Sequence, residues 1–309
     1  LSNFTQVDDS QSSLSLASAR PAVFRRVSQT LPFIGPGLAV AILLVILLLL
    51  VKESRAFFAH VSVWDFLSGS TWSPFIAPES FGVLPLVAAT LWTSAIALVI
   101  GIPLALCGAV YVTQFASPFE RFLIQPLIEI VAGIPSVVHG FVAVTVVTPT
   151  LQRIFPEMEY FNALSGGLVL GIMILPTFLS LALEALKAVP NSVRDAGLSL
   201  GASVSQVSWG VMVPAAKSGL VAAGLLSLAR AMGETMAMTL AVGSSPKLSA
   251  NPLVAMQTLT SYIAQISFGD TPQGGIEYQS LFAVALVLFS ITMILNGLAR
   301  TVFRQRGSA

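Results

Sequence analysis

Three ionisable side chains stand inside long apolar stretches of this 309-residue sequence: Glu129, Arg230 and Glu234. A charge at the centre of a bilayer costs about 2.5 to 3.5 kcal/mol on insertion scales, so each needs a partner or a purpose. Arg230 lies twelve residues beyond Ser218, about 18 Å along a helix axis and near the midplane of a membrane. Glu234 follows one turn later. On helical spacing Ala223, Ser227, Arg230, Glu234, Ala237 and Ala241 share one face, and a small, polar stripe carrying one cation suits the wall of an anion path. In that role Arg230 compensates a passing divalent oxyanion and Glu234 pairs with it when the path is empty. A purely structural Arg230–Glu234 pair that joins helices is the alternative.

Counting inward from Arg121, Glu129 falls about 12 Å deep and Ser136 about 22 Å, close to the depth of Arg230. Gly133-Ile134-Pro135 breaks the helix just before Ser136. Interrupted helices are tolerated at that depth where they face protein or a water-filled cavity, and freed backbone groups there can bind an ion; an ordinary packing kink is the alternative. His139, one turn on, reads as a satisfied interior histidine rather than a path residue. The expected path residues are therefore Arg230, Glu234, Ser136, Glu129 and Ser227.

Nothing else in the chain offers catalysis. There is no HExxH and no Gly-x-Ser-x-Gly, and Lys217-Ser218 lacks the glycines of a phosphate-binding loop. Cys107 is alone in an apolar run, so neither a disulfide nor a thiolate metal site is available within the chain. No metal, cofactor or enzymatic activity is expected, and the energy for any vectorial step has to arrive through a partner.

The elements that carry these residues are membrane spans. Charged residues are 9% of the chain against about 25% in soluble domains, hydrophobic residues are 55%, and mean hydropathy is +0.86. The net charge of +1 comes from basic residues scattered over loop ends, which gives no nucleic-acid surface. Residues 1–30 read as a disordered cytoplasmic tail, rich in Ser and Gln at its start, and 31–309 as one six-span unit. The first span is Phe33 to Val51, too long for a signal peptide. A mixed polar stretch from Lys52 to Phe81 follows, reading as an external loop that rests Trp64 and Trp72 at the interface. Residues 80–119 carry no charge, and Gly101-Ile102-Pro103 is too tight for a loop, so this is one kinked span. The third runs from Phe122 to Val147, the fourth from Gly166 to Leu186, the fifth from Leu220 to Val242 and the sixth from Tyr278 to Ala299. With the 187–219 loop inside, the cytoplasmic segments hold Arg20, Arg25, Arg26, Arg121, Lys187, Arg194, Lys217, Arg300, Arg304 and Arg306. The outer ones hold only Lys52, Arg55, Arg153 and Lys247, which places both termini in the cytoplasm.

That inner loop carries helix signals of its own. Ser192 with Asp195 after Pro190, and Ser203 with Gln206, read as two capping boxes with Gly201 as the break between two short helices. A connection of this length that only joined two spans would not need paired caps. Asp195-Ala196-Gly197, then Gly201, then Val211, Val213 and Pro214 resemble the EAA loop of the inner-membrane permeases of binding-protein-dependent ABC importers. That loop reads Glu-Ala-Ala, three residues, Gly, nine residues, then aliphatic, any, aliphatic, Pro. Asp195 replaces Glu and Gly197 replaces Ala. The resemblance implies a type I importer permease fold, all helical, with a coupling helix that docks on an ATPase.

AGIPSVVHG at 132–140, ARAMGETMA at 229–237 and FGVLP at 81–85 look like the PstC-type permease subunit of the phosphate-specific ABC transporter, over roughly residues 64–300, with His139 standing where a Tyr is expected. What this implies is phosphate import across a bacterial inner membrane by an assembly with a second, PstA-like permease, two copies of an ATPase subunit and a periplasmic phosphate-binding protein. A permease for another oxyanion, molybdate or sulfate, has the same architecture. A channel or sensor that works without ATP would leave the capped loop unexplained.

Overall fold

The computed structural model describes residues 22–304 apart from Asp270, with side chains for residues 35–302 other than 125 and 270. The expected disordered tail lies mostly outside these residues; where described, from Ala22, the chain is already helical. The helix runs on from there through Pro32, Gly35, Pro36 and Gly37 into the apolar run. The chain divides into two units at Lys52–Glu53. The first unit holds most of α1 (Ala22–Phe58), within which Gly35–Phe58 is long and apolar enough to span.

The second unit opens with α2 (Val63–Ser68) and an antiparallel pair, β1 (Trp72–Ser73) and β2 (Ser80–Phe81). Their aromatic rings form a packed cluster with the last turn of α1. Trp72 meets Tyr262 edge to face at 4.8 Å, and Phe57 meets Phe66 at 5.5 Å. Trp64 is 75% exposed but Trp72 only 3%, a correction to the interfacial role expected for both. Trp72 is drawn inward because a buried ring gains from quadrupole-matched edge contacts that a headgroup region cannot supply.

α3 (Leu84–Val110) runs unbroken through Pro103 and ends in a π-helical turn, Tyr111–Phe115. It is one span, as the tight Gly-Ile-Pro required. α4 (Pro118–Gly133) begins with a full capping box, Ser117 with Glu120, and α5 (Ser136–Val142) continues it after a bend of 83°, through a π turn into α6 (Thr148–Gln152). α7 (Ala163–Lys187) starts at the buried Asn162, whose Oδ1 accepts the Ser165 N–H at 2.7 Å. Two short helices follow, α8 (Asn191–Ser199) and α9 (Val204–Val207), then a π turn and α10 (Val213–Ala215). α11 (Lys217–Met232) and α12 (Met236–Ala241) occupy the region expected to be span five; α13 (Leu259–Phe268) and α14 (Ile276–Arg304) complete the described chain.

Among the described residues four helices are long and apolar enough to cross a membrane, and the number rises to six when each of two bent helix pairs is counted as one span. The bent pairs are Pro118–Gly133 with Ser136–Gln152 and Val204–Ala215 with Lys217–Met232. The expected fifth span is interrupted again between α11 and α12, so the third and fifth expected spans, which carry Glu129, Arg230 and Glu234, are not continuous. Continuous spans pack through small residues. A Cβ on Gly101 of α3 would lie 2.7 Å from the Gly171 carbonyl oxygen of α7, so only glycine lets these backbones approach, and dispersion at that separation replaces the hydrophobic drive that lipid does not provide. Ala97, Ala105, Ala109 and Ala182 line the same contact region and are buried.

Candidate functional site

The two interrupted spans meet. α4 stops at Gly133, Ile134 and Pro135 are extended, and α5 restarts at Ser136. α11 stops at Met232 with Gly233 as its cap, and α12 restarts at Met236. α5 then lies directly on α12: a Cβ on Gly140 would sit 3.0 Å from both the Ala237 Cα and the Leu240 Cβ. The segments 132–140 and 229–237, far apart in sequence, are thus brought into one place.

Backbone groups at each break find partners within the protein. The Pro135 carbonyl accepts the Val138 N–H at 3.0 Å and lies 3.3 Å from His139 Nδ1, which makes His139 the buried, satisfied histidine expected. Gly233 and Glu234 donate their N–H groups to the Arg230 and Ala231 carbonyls, each at 3.2 Å. The Glu234 carbonyl accepts the Thr260 hydroxyl of α13 at 2.7 Å, and Glu234 Oε1 accepts the Ala237 N–H at 3.4 Å. Buried groups freed by a helix break have to find partners in low dielectric, and here they find them within the protein. The Pro135, Arg230, Ala231 and Glu234 carbonyls are thus each partnered within the protein.

Arg230 is left apart from this network. It is exposed and, among the described residues, forms no ion pair with Glu234 or any other acid. The expected pairing fails because Gly233 ends the helix between them, so the two residues are not on consecutive turns. The expected shared face is divided too, and already within α11, upstream of that break. Ala223, Ser227, Ala237 and Ala241 are all buried, Ser227 with an unpartnered hydroxyl, while Leu226, Arg230 and Gly233 are exposed. The small stripe is a packing surface, and the open face of α11 is the one holding Arg230. Ser136 is half-buried at the start of α5. Glu129 lies elsewhere, lining a cavity with Arg121, Lys187 and Arg194 that includes neither Arg230 nor Ser136.

The 187–219 loop is built as two helices. The Ser203–Gln206 capping box is complete, with N–H to side-chain distances of 2.8 and 3.3 Å. The Ser192–Asp195 box is absent: Pro190, with ψ 138°, is the residue before α8 and no side chain caps it. Its fixed φ suits a helix entry, so α8 starts two residues earlier than a Ser192 cap implies and Ser192 falls inside it. Gly201, at φ +83°, ends α8; Ala202 donates to the Gly197 carbonyl and Gly201 to that of Leu198, the paired bonds of a Schellman stop. Gly197 faces α9 so closely that a Cβ would be 2.9 Å from Val207 Cγ2. Asp195, Ala196 and Pro214 are exposed, and Leu200 at the tip is 89% exposed. Arg194 ties this loop to the end of α3, donating Nε–H to Gln114 Oε1 at 3.0 Å. Sequence spacing gave no sign of that bond across 80 residues, whereas the apolar Leu200 just before a helix-ending Gly was visible and went unused.

A family model described as binding-protein-dependent transport system inner membrane component matches residues 97–306. The chain belongs to this family. It is 33% identical over 257 residues to the probable ABC transporter permease protein YqgH of Bacillus subtilis, covering 83% of each chain. It is 30% identical over 256 residues to the phosphate transport system permease protein PstC of Mesorhizobium japonicum, covering 77% of each, and 31% identical to PstC of Xylella fastidiosa strain Temecula1, covering 76% of this chain and 77% of that one. Among solved structures it resembles a chain of a bacterial ABC transporter involved in the import of the acidic polysaccharide alginate, with a TM-score of 0.59, 15% identity and 91% and 99% of the two chains covered. A chain of the MetNI methionine ABC transporter gives 0.51, 19% identity, and 71% and 94% coverage. At those identities the structures speak for the fold alone. As an ABC importer permease of PstC type, the protein is a multi-pass membrane transport subunit and not an enzyme.

The unpaired state of Arg230 has a measurable consequence. Removing one partner of a buried ion pair costs about 3 to 5 kcal/mol, whereas a substitution that breaks no pair stays within about 0.5 kcal/mol. Arg230→Gln in the solubilised chain should therefore unfold at nearly the wild-type midpoint, while Glu234→Ala, which removes the acceptor at the start of α12, unfolds earlier. A large loss in Arg230→Gln that Glu234→Gln restores would show that the two pair after all.

Proposed function

We propose that this permease translocates inorganic phosphate as one of two membrane subunits of an ATP-driven importer. The observation that carries the reading is the pair of interrupted spans, AGIPSVVHG and ARAMGETMA, packed together beside an exposed and unpaired Arg230. A free guanidinium at the end of a membrane helix, on a face not covered by its own chain, suits an oxyanion passing between this subunit and a second one. Ser136 at the start of α5 adds a hydroxyl at the other break, and Glu234 acts as a brace for α12 rather than as a counter-ion. Ser227, being buried, supports the wall from behind. Phosphate is favoured over molybdate or sulfate by the PstC relatives.

In this reading six spans cross a bacterial inner membrane with both termini in the cytoplasm, and residues 31–309 form the permease domain. α8 is the coupling helix. Asp195 and Ala196 lie on its exposed side, Gly197 seats it against α9, Gly201 stops it, and Pro214 starts the turn back into the membrane. A pair of ATPase subunits receives it together with the matching helix of a PstA-like permease, and a periplasmic phosphate-binding protein delivers the ion from the other side. No cofactor resident in this chain is needed.

Two experiments on the assembled transporter test the reading. Phosphate uptake should fall at least about tenfold in Arg230→Gln, with ATP hydrolysis and assembly retained, and recover in part in Arg230→Lys, since charge is restored without the planar fork. Uptake of sulfate or molybdate in place of phosphate would overturn the substrate assignment. Gly201→Leu, forced into a left-handed backbone that a branched side chain resists by about 1 to 2 kcal/mol, should uncouple ATP hydrolysis from uptake while insertion is unchanged. Wild-type uptake in a stably assembled Gly201→Leu transporter would remove α8 from the coupling role.

A further inference from the structure

A cavity of about 680 Å³ lies between the π turn after α3, the first half of α4, the end of α7 and the start of α8. Three cations line it, Arg121, Lys187 and Arg194, together with two carboxylates, Glu129 and Glu184. Among the described residues none of these five forms an ion pair with another. Arg121 donates one N–H to the Thr113 carbonyl at 3.2 Å, and Arg194 donates Nε–H to Gln114 at 3.0 Å. Both guanidiniums are thus anchored on the π turn with most of their donors still available. A cavity that holds unpaired charges of both signs calls for a ligand bearing both acceptors and a donor.

We infer that this cavity binds the monohydrogen phosphate dianion. Its unprotonated oxygens meet the three cations, and its P–OH donates to Glu129 or Glu184. Sulfate has the same charge but no proton, so it leaves the carboxylates facing an oxyanion with nothing between them. A phospholipid diester has a single charge and no P–OH, and meets the same obstacle. A site built to accept a ligand hydroxyl rejects analogues lacking it far more strongly than a shape difference does. The site is separate from Arg230, and because α8 supplies Asn191 and Arg194 to its lining, bound phosphate rests against the helix assigned above to the ATPase. Its cytoplasmic position rests on the topology proposed above; the choice of ligand rests only on the lining.

The test uses the full-length chain carrying Arg230→Gln, so that the other anion candidate is removed, in bilayer discs of phosphatidylcholine, titrated calorimetrically with inorganic phosphate and with sulfate. Phosphate should bind, and sulfate should bind at least about tenfold more weakly. Lys187→Gln and Arg121→Gln should each weaken phosphate by about tenfold, with helix content unchanged by circular dichroism. The double variant Glu129→Gln, Glu184→Gln should bring sulfate to within about threefold of phosphate, a change of selectivity that a structural role would not produce. Equal binding of the two anions, no phosphate binding by the folded chain, or binding unaffected by the lining variants overturns the proposal. So does a site filled only in discs containing phosphatidylglycerol and not displaced by phosphate, which would mark a lipid headgroup instead. Uptake by the assembled transporter is scored separately: phosphate uptake without cavity binding sinks this inference alone, and cavity binding without phosphate uptake sinks the transport reading alone.

Discussion

A helix that stops inside a bilayer frees backbone groups that no water can satisfy, and the way this chain closes them governs the rest of the structure. At Pro135 the closure is local, through Val138 and His139. At Glu234 it requires α13, whose Thr260 reaches the exposed carbonyl. That single hydroxyl helps fix where α13 sits, and the Thr90 hydroxyl oxygen of α3 accepts the Leu259 N–H of α13 at 3.0 Å. The breaks are therefore stiff elements rather than loose ends. Beside these partnered carbonyls Arg230 stands exposed and, among the described residues, without an ion pair.

The same economy of partners separates two regions with different tasks. Around α3 and α7, alanine and glycine permit backbone contact and leave little room for polar groups. At the loop end the contacts become polar and specific: a Schellman stop, a capping box, and the Arg194–Gln114 bond that fastens α8 to the end of α3. A displacement of α8 thus has a direct mechanical route into a membrane helix.

Much of this was legible in the sequence where local chemistry decides the outcome. Gly133-Ile134-Pro135 announced a break, Ser203 with Gln206 announced a helix start, and Gly201 announced a stop, because each depends on a few adjacent residues. The uncharged stretch through Pro103 was legible as one span because a membrane helix can absorb a proline where neighbours satisfy the freed carbonyl. The second break was missed. Gly233-Glu234-Thr235 has no proline, and an apolar run on both sides reads as continuous helix, so Arg230 and Glu234 were expected on consecutive turns of a helix that in fact ends between them. Burial of Trp72 and the charges around the cavity at Arg121 escaped for a different reason: they depend on residues brought together from distant parts of the chain, to which spacing is blind. Ser192 failed as a cap because Pro190 already sets the entry.

The central claim is that the face of α11 holding Arg230 is open to water in the assembled transporter, while the small-residue face is closed. Cysteines at Leu226, Gly233, Ala223 and Ser227, introduced one at a time into a chain whose own exposed Cys107 is replaced by Ser, can be challenged with a membrane-impermeant thiol reagent. Leu226→Cys and Gly233→Cys should react and be protected by saturating phosphate, and Ala223→Cys and Ser227→Cys should stay inert. Inert cysteines at 226 and 233, or equal reactivity at all four positions, would contradict the account.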